Sequence, residues 1–245
     1  MRVRPIDRLF LNGSLSGAQK AGGYNGSLDC MPLPAGGNLQ SQWCSAKDYK
    51  FGTGAQHHES TPHADRGVRV TVSTVRRIDS VTLPAYVKCG GHYTNSVRAV
   101  QEAIRRGYDD AILLNSKGDV AEGSGANLFV VRDGTLITND IDASIVMGIT
   151  RDSVIQIARD LGITVVIRPM TIGDIENADE LFFSGTAVEI MPVTEVDGRR
   201  INDGKPGQMT KHIQKTFFDV VHGREPRYRA WLATAASERA LELVK

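Results

Sequence analysis

The run Asn127-Leu128-Phe129-Val130-Val131-Arg132-Asp133-Gly134-Thr135-Leu136-Ile137-Thr138 sets the fold class. Residues 127–132 form an apolar run of strand length. Asp133-Gly134 suits a two-residue hairpin turn, whose central residues take positive φ. Leu136-Ile137-Thr138 predicts the returning strand. Such a hairpin is stable only when other strands or helices cover it. On the N-terminal side, Val68-Arg69-Val70-Thr71-Val72 alternates like a half-buried strand. Residues 96–105 predict a helix with Val97, Val100, Ala103 and Ile104 on one face, and 111–114 a strand. On the C-terminal side, Thr150 can cap a helix that carries Val154, Ile157, Ala158 and Leu161, with Gly162 at its end. Residues 163–167 and 181–183 predict strands, and 209–221 a helix with Ile213, Phe217 and Val220 inward. Strands and helices without regular βαβ alternation predict an α+β (mixed α/β) sheet rather than a Rossmann fold.

The 245 residues divide by composition near Arg66. Residues 1–65 are rich in Gly, Ser, Gln, Asn and His and sustain no apolar period, so that part is expected to be poorly ordered. Residues 66–245 read as the folded domain. With 29 basic against 28 acidic residues, bulk positive charge does not argue for a nucleic-acid partner. No apolar run reaches membrane-spanning length, and Met1 to Pro5 lacks the apolar core of a secretory signal. Cys30, Cys44 and Cys89 have no metal-ligand spacing, and a reduced cytoplasmic setting is expected. His57, His58 and His63, near Glu59 and Asp65, match no familiar ligand pattern, so no metal is expected.

Four motifs carry chemistry. They are Tyr86-Val87-Lys88-Cys89-Gly90-Gly91-His92-Tyr93, Ala121-Glu122-Gly123-Ser124-Gly125-Ala126-Asn127-Leu128-Phe129, Gly148-Ile149-Thr150-Arg151-Asp152 and Phe183-Ser184-Gly185-Thr186-Ala187-Val188-Glu189-Ile190. Lys88 lies in a moderately apolar run, and a partly desolvated lysine favours its neutral, nucleophilic amine. Glu122 precedes a Gly-rich bend, where an acid is ordinarily a turn residue. Gly148-Ile149-Thr150 opens a helix whose free N–H groups suit an anion. Ser184 to Ala187 offers hydroxyls and close backbone N–H groups, or simply a turn at a strand end.

In this order and spacing the motifs resemble those of branched-chain amino-acid aminotransferases, of the class IV, fold-type IV pyridoxal-phosphate enzymes. The resemblance implies the large C-terminal domain of the D-amino-acid aminotransferase-like fold over 66–245. It also implies that 1–65 is an incomplete, atypical form of the small N-terminal domain. It makes Lys88 the catalytic, cofactor-bearing lysine, Tyr93 the partner of the cofactor phenolate and Glu122 the partner of the ring nitrogen. Ile149, Thr150 and Thr186 would hold the phosphate, and Thr186 with Ala187 the substrate carboxylate. Gly90 and Gly91 would let the backbone pass close to a flat ring. Arg4-Pro5-Ile6-Asp7-Arg8-Leu9-Phe10 faintly resembles the segment that clamps the phosphate, which makes Arg8 the clamp. Val146 stands where the family often has leucine. The implied reaction is transamination of leucine, isoleucine or valine with 2-oxoglutarate by a homodimer or higher homo-oligomer in the cytoplasm. D-amino-acid aminotransferase, aminodeoxychorismate lyase and a non-catalytic remnant of the fold are the alternatives.

Overall fold

The computed structural model describes residues 64–232. Its β4 (Asn127–Arg132) and β5 (Thr135–Thr138) pair antiparallel, with Val131 opposite Leu136. Asp133 (φ 48°) and Gly134 (φ 70°) both take the left-handed backbone such a hairpin turn requires. The other strands are β1 (Val68–Val72), β2 (Asp110–Leu114), β3 (Val120–Gly123), β6 (Thr164–Ile167), β7 (Glu180–Gly185), β8 (Glu189–Val196) and β9 (Arg199–Arg200). Among the described residues these nine strands make one mixed sheet, in the order β3-β2-β1-β8-β7-β4-β5-β6, with β9 on β8. Helix α1 (Tyr93–Arg105) connects the parallel pair β1 and β2, and α2 (Ile149–Asp160) connects the parallel pair β5 and β6. A short α3 (Ile172–Glu176) and a long α4 (Gln208–Val221) follow.

The period of two along β4 sends its side chains to both faces. Leu128 and Val130 join Leu181 and Phe183 in one core, while Phe129 and Val131 join Phe182 in the other. The rings of Phe129 and Phe182 stack at 4.9 Å. Val154, Ile157 and Ala158 of α2, with Ile213, Phe217 and Val220 of α4, close this second core. Covering both faces explains why the run from Leu128 to Val131 is apolar throughout instead of alternating.

Several expectations change. Helix α1 starts at Tyr93 and buries Ser96, Ala99 and Ala103, whereas Ile104 is 47% exposed. Its small side chains let it approach Ala111 and Leu113 of β2, so of the predicted face Val97, Val100, Ala103 and Ile104 only Ala103 is buried. Strand β1 is central rather than half-buried: it pairs with β2 on one side and β8 on the other, and Thr71 is buried with Val68 and Val70. The sequence reading did not find β8. Pro192 lies within it, opposite Phe182, and its pairing with β1 shifts register between Val68 and Arg69. Folded structure also reaches back past Arg66. Ala64 is buried, and its carbonyl accepts a bond from Gln214 of α4 at 3.1 Å. Arg8, the three clustered histidines and the rest of residues 1–63 lie outside the described residues. No described helix is long and apolar enough to cross a membrane.

Candidate active site

A cavity of about 430 Å³ draws its wall from all four motifs. Lys88 comes from the segment between β1 and α1, and Tyr93 from the first residue of α1. Glu122 comes from β3, Ile149 and Thr150 from the start of α2, and Thr186 from the turn that follows β7. The size suits a small organic ligand. Ala187 follows in the exposed turn beyond Thr186 and does not line the cavity.

Glu122 is the most constrained of these groups. It is 6% exposed, and Oε1 makes an ion pair with Arg77 Nε at 2.7 Å. Oε2 accepts from the Val146 N–H at 3.1 Å and from Asn127 Nδ2 at 3.3 Å. Burial pushes its carboxyl up to about 7, against the pull of Arg77, the Val146 N–H and Lys88. Asn127 Nδ2 also donates to the Val146 carbonyl at 2.7 Å, which ties β4 to the chain entering α2. There the glycine has a steric purpose: a Cβ on Gly148 would collide with Asn127 Oδ1.

Gly148 is the N-cap of α2, with extended backbone and no side-chain cap. Thr150 lies inside the first turn, so the expected cap by Thr150 is not made. Thr150 lines the cavity, and among the described residues the N–H groups of that turn lack a side-chain acceptor. Arg151, next along, is 1% exposed and donates from Nη2 to the Asn139 carbonyl at 2.6 Å. Asn139 Nδ2 in turn donates to the carbonyls of Val120 and Ala121, just before Glu122. A buried chain of bonds therefore joins the helix entry to the strand that carries Glu122.

Ser184 is fully buried in the wall, with no hydrogen-bond partner for its Oγ. That hydroxyl is an unpaired polar group behind the cavity surface. Lys88 Nζ lies 5.7 Å from the centre of the Tyr93 ring. Lys88 itself is exposed, as are Tyr86 and Val87, so the expected desolvation of this lysine is not provided by the described residues. Gly90 and Gly91 sit in a 3-10 turn with no described atom within 4 Å of where a Cβ would stand. Arg77 was missed in the sequence. It lies in a loop with no motif of its own, and only the fold sets it beside Glu122. Among the described residues no group of His, Cys, Asp and Glu could hold a metal ion.

The family profile described as Amino-transferase class IV matches residues 16–196. The chain belongs to the class IV aminotransferases. The match extends into the 1–65 region that composition sets apart, although residues up to 63 are not described. A probable branched-chain-amino-acid aminotransferase of Aquifex aeolicus is 44% identical over 168 residues, covering 68% of this chain and 54% of that protein. The branched-chain aminotransferase of Thermoproteus uzoniensis, solved with norvaline, superposes with a TM-score of 0.65 at 44% identity, over 68% of this chain and 55% of that one. The branched-chain amino acid aminotransferase of Thermobaculum terrenum, solved in its PLP form, gives 0.67 at 41% identity, over 68% and 55%. This class IV chain thus spans about half the length of the relatives it matches.

Proposed function

We propose that the cavity holds pyridoxal 5'-phosphate and that the chain takes part in transamination of branched-chain L-amino acids with 2-oxoglutarate. The observation that carries this reading is the convergence of four sequence-distant motifs on one wall, with a buried, paired carboxylate among them. The donor set fits the cofactor. Glu122 can accept from a protonated ring nitrogen, and the first turn of α2 with Thr150 and Thr186 can take a dianionic phosphate. When bound, the cofactor supplies an electron sink conjugated to the substrate amine. Lys88 Nζ is the group that would hold it covalently and then move the proton from the substrate Cα. Tyr93 would donate to the phenolate, and Thr186 with Ala187 would orient the substrate carboxylate.

The relatives named for branched-chain transamination support the substrate class. A homodimer is the assembly we favour. Leu83, Tyr86, Val87, Met147 and Ile149 leave apolar surface at or near the cavity that a second subunit or further chain can cover. The exposed free thiol of Cys89 suits the reducing cytoplasm.

The test is reconstitution of the chain with pyridoxal phosphate, borohydride reduction and peptide mapping, followed by half-reactions with L-leucine and D-alanine. The label is expected on Lys88, with L-leucine the faster donor. A label on Lys117 or Lys205 would overturn the site. Faster reaction of D-alanine would move the chain to the D-amino-acid branch, and absence of any half-reaction would leave a binding remnant.

A further inference from the structure

We propose that Arg77 is a positioning residue for the cofactor-facing carboxylate: its guanidinium holds Glu122 oriented and anionic, as a protonated ring nitrogen requires. This inference rests on the cofactor reading above and extends it to a side chain outside the four motifs. Arg77 is anchored independently of any ligand, since its backbone N–H donates to the Leu114 carbonyl at 2.8 Å, beyond the end of β1. From there the side chain runs inward to the cavity wall, where it is 6% exposed. It meets Glu122 Oε1 at 2.7 Å, while Val146 N and Asn127 Nδ2 occupy Oε2. An ion pair on one oxygen and two hydrogen bonds on the other fix the plane of the carboxylate. Glu122 is buried, so without a cation it would retain its proton and present a neutral acid to the ring. The charged groups set against it are Arg77 and Lys88. If Lys88 is spent on the cofactor, it is no longer a dependable cation, and Arg77 is left to hold the anion. Arginine suits that duty, because it remains charged at any working pH and its fork is rigid.

The experiment follows the Glu122 carboxyl directly in the cofactor-free chain. Glutamate is labelled with carbon-13 at the carboxyl, and the Glu122 resonance is assigned by its loss in Glu122→Gln. In Arg77→Gln the titration midpoint should rise by about one pH unit or more, the scale for losing an opposite charge at contact distance. Arg77→Lys should recover most of the original midpoint, which a purely packing role would not predict. If Arg77→Gln fails to fold at alkaline pH, where the carboxyl must ionise without its cation, the double variant Arg77→Gln/Glu122→Gln should fold there, because it removes the unpaired charge. An unchanged midpoint in Arg77→Gln, or a double variant that stays unfolded, overturns the inference. The parallel measurement of visible absorbance and borohydride labelling with added pyridoxal phosphate separates the two readings. Failure of the cofactor reading leaves the midpoint moved but no label on Lys88; failure of the present one leaves the label and an unmoved midpoint.

Discussion

At the scale of single residues, Glu122 is under opposing demands. Burial favours its neutral acid, while Arg77, Val146 and Asn127 are arranged for its anion. Glu122→Gln keeps an acceptor for the Val146 N–H but leaves Arg77 without its counter-charge. Because Gln resembles the neutral acid that burial favours, urea stability should change little near pH 5 and should lose the decline through about pH 7 that ionisation of Glu122 brings. The half-reaction with L-leucine should slow by roughly 100-fold or more, the range for a positioned acid–base or electrostatic group. An unchanged half-reaction would remove the ring-nitrogen role. Thr150 and Thr186 give a different signature. Thr150 caps nothing, so Thr150→Val should leave folding nearly unaffected. Both it and Thr186→Val should weaken binding of pyridoxal phosphate by about 1.5–3 kcal/mol, the value of a hydrogen bond to a charged group. Equal cofactor affinity in parent and both variants, measured by equilibrium titration, would rule out the phosphate contact.

At the scale of elements, the entry to α2 shows how packing creates a site. Gly148 is required because Asn127 presses against it, and Asn127 is held there by the Val146 carbonyl and Glu122. Gly148→Ala must displace either the asparagine or the helix start. It should cost about 1–3 kcal/mol in denaturation, the range for overpacking, and weaken cofactor binding as well. Gly90→Ala and Gly91→Ala meet no described atom within 4 Å and should stay within about 0.5 kcal/mol of the parent. A neutral Gly148→Ala would show that the contact relaxes easily. The same elements show what the sequence could reveal. The β4–β5 hairpin was legible because a continuous apolar run ends at Asp133-Gly134, and α2 and α4 because their large apolar side chains repeat at the helical period. Strand β8 was hidden by Pro192, and the packed face of α1 by its use of serine and alanine where larger side chains were expected. At the site, the motif residues were legible by resemblance alone. Arg77 was not, because nothing local distinguishes a loop arginine that is exposed from one buried against a distant glutamate.

At the scale of the whole molecule, the buried carboxyls decide how stability follows pH. Burial pushes Glu122 up to about 7 from an ordinary 4.5, and Asp110 up to about 6 from 3.8. Asp110 is 5% exposed on β2, where one oxygen accepts from the Ala111 N–H at 2.7 Å and Ser124 also bonds to it. Both groups hold their protons more tightly folded than unfolded. Their contribution is therefore fully present below about pH 4 and is lost as pH rises through about 6 for Asp110 and 7 for Glu122. Each loss is on the order of 3 kcal/mol, from a little over two pKa units at 1.36 kcal/mol each. Asp174 acts in the opposite sense. The bond from Arg168 holds its carboxyl down to about 2, so its contribution is present above about pH 4 and disappears as acid rises. The cofactor-free chain should thus be more resistant to urea near pH 5 than near pH 8. Asp110→Asn isolates one part of that slope without disturbing the cavity's ion pair, since the amide oxygen can still accept from Ala111. It should stabilise the chain at about pH 8 by up to roughly 3 kcal/mol and flatten the decline between about pH 5 and 7. Denaturation midpoints for Asp110→Asn that parallel the parent at every pH would mean that Asp110 is ionised at little cost, with Ser124 and the Ala111 N–H fully replacing the water lost on folding.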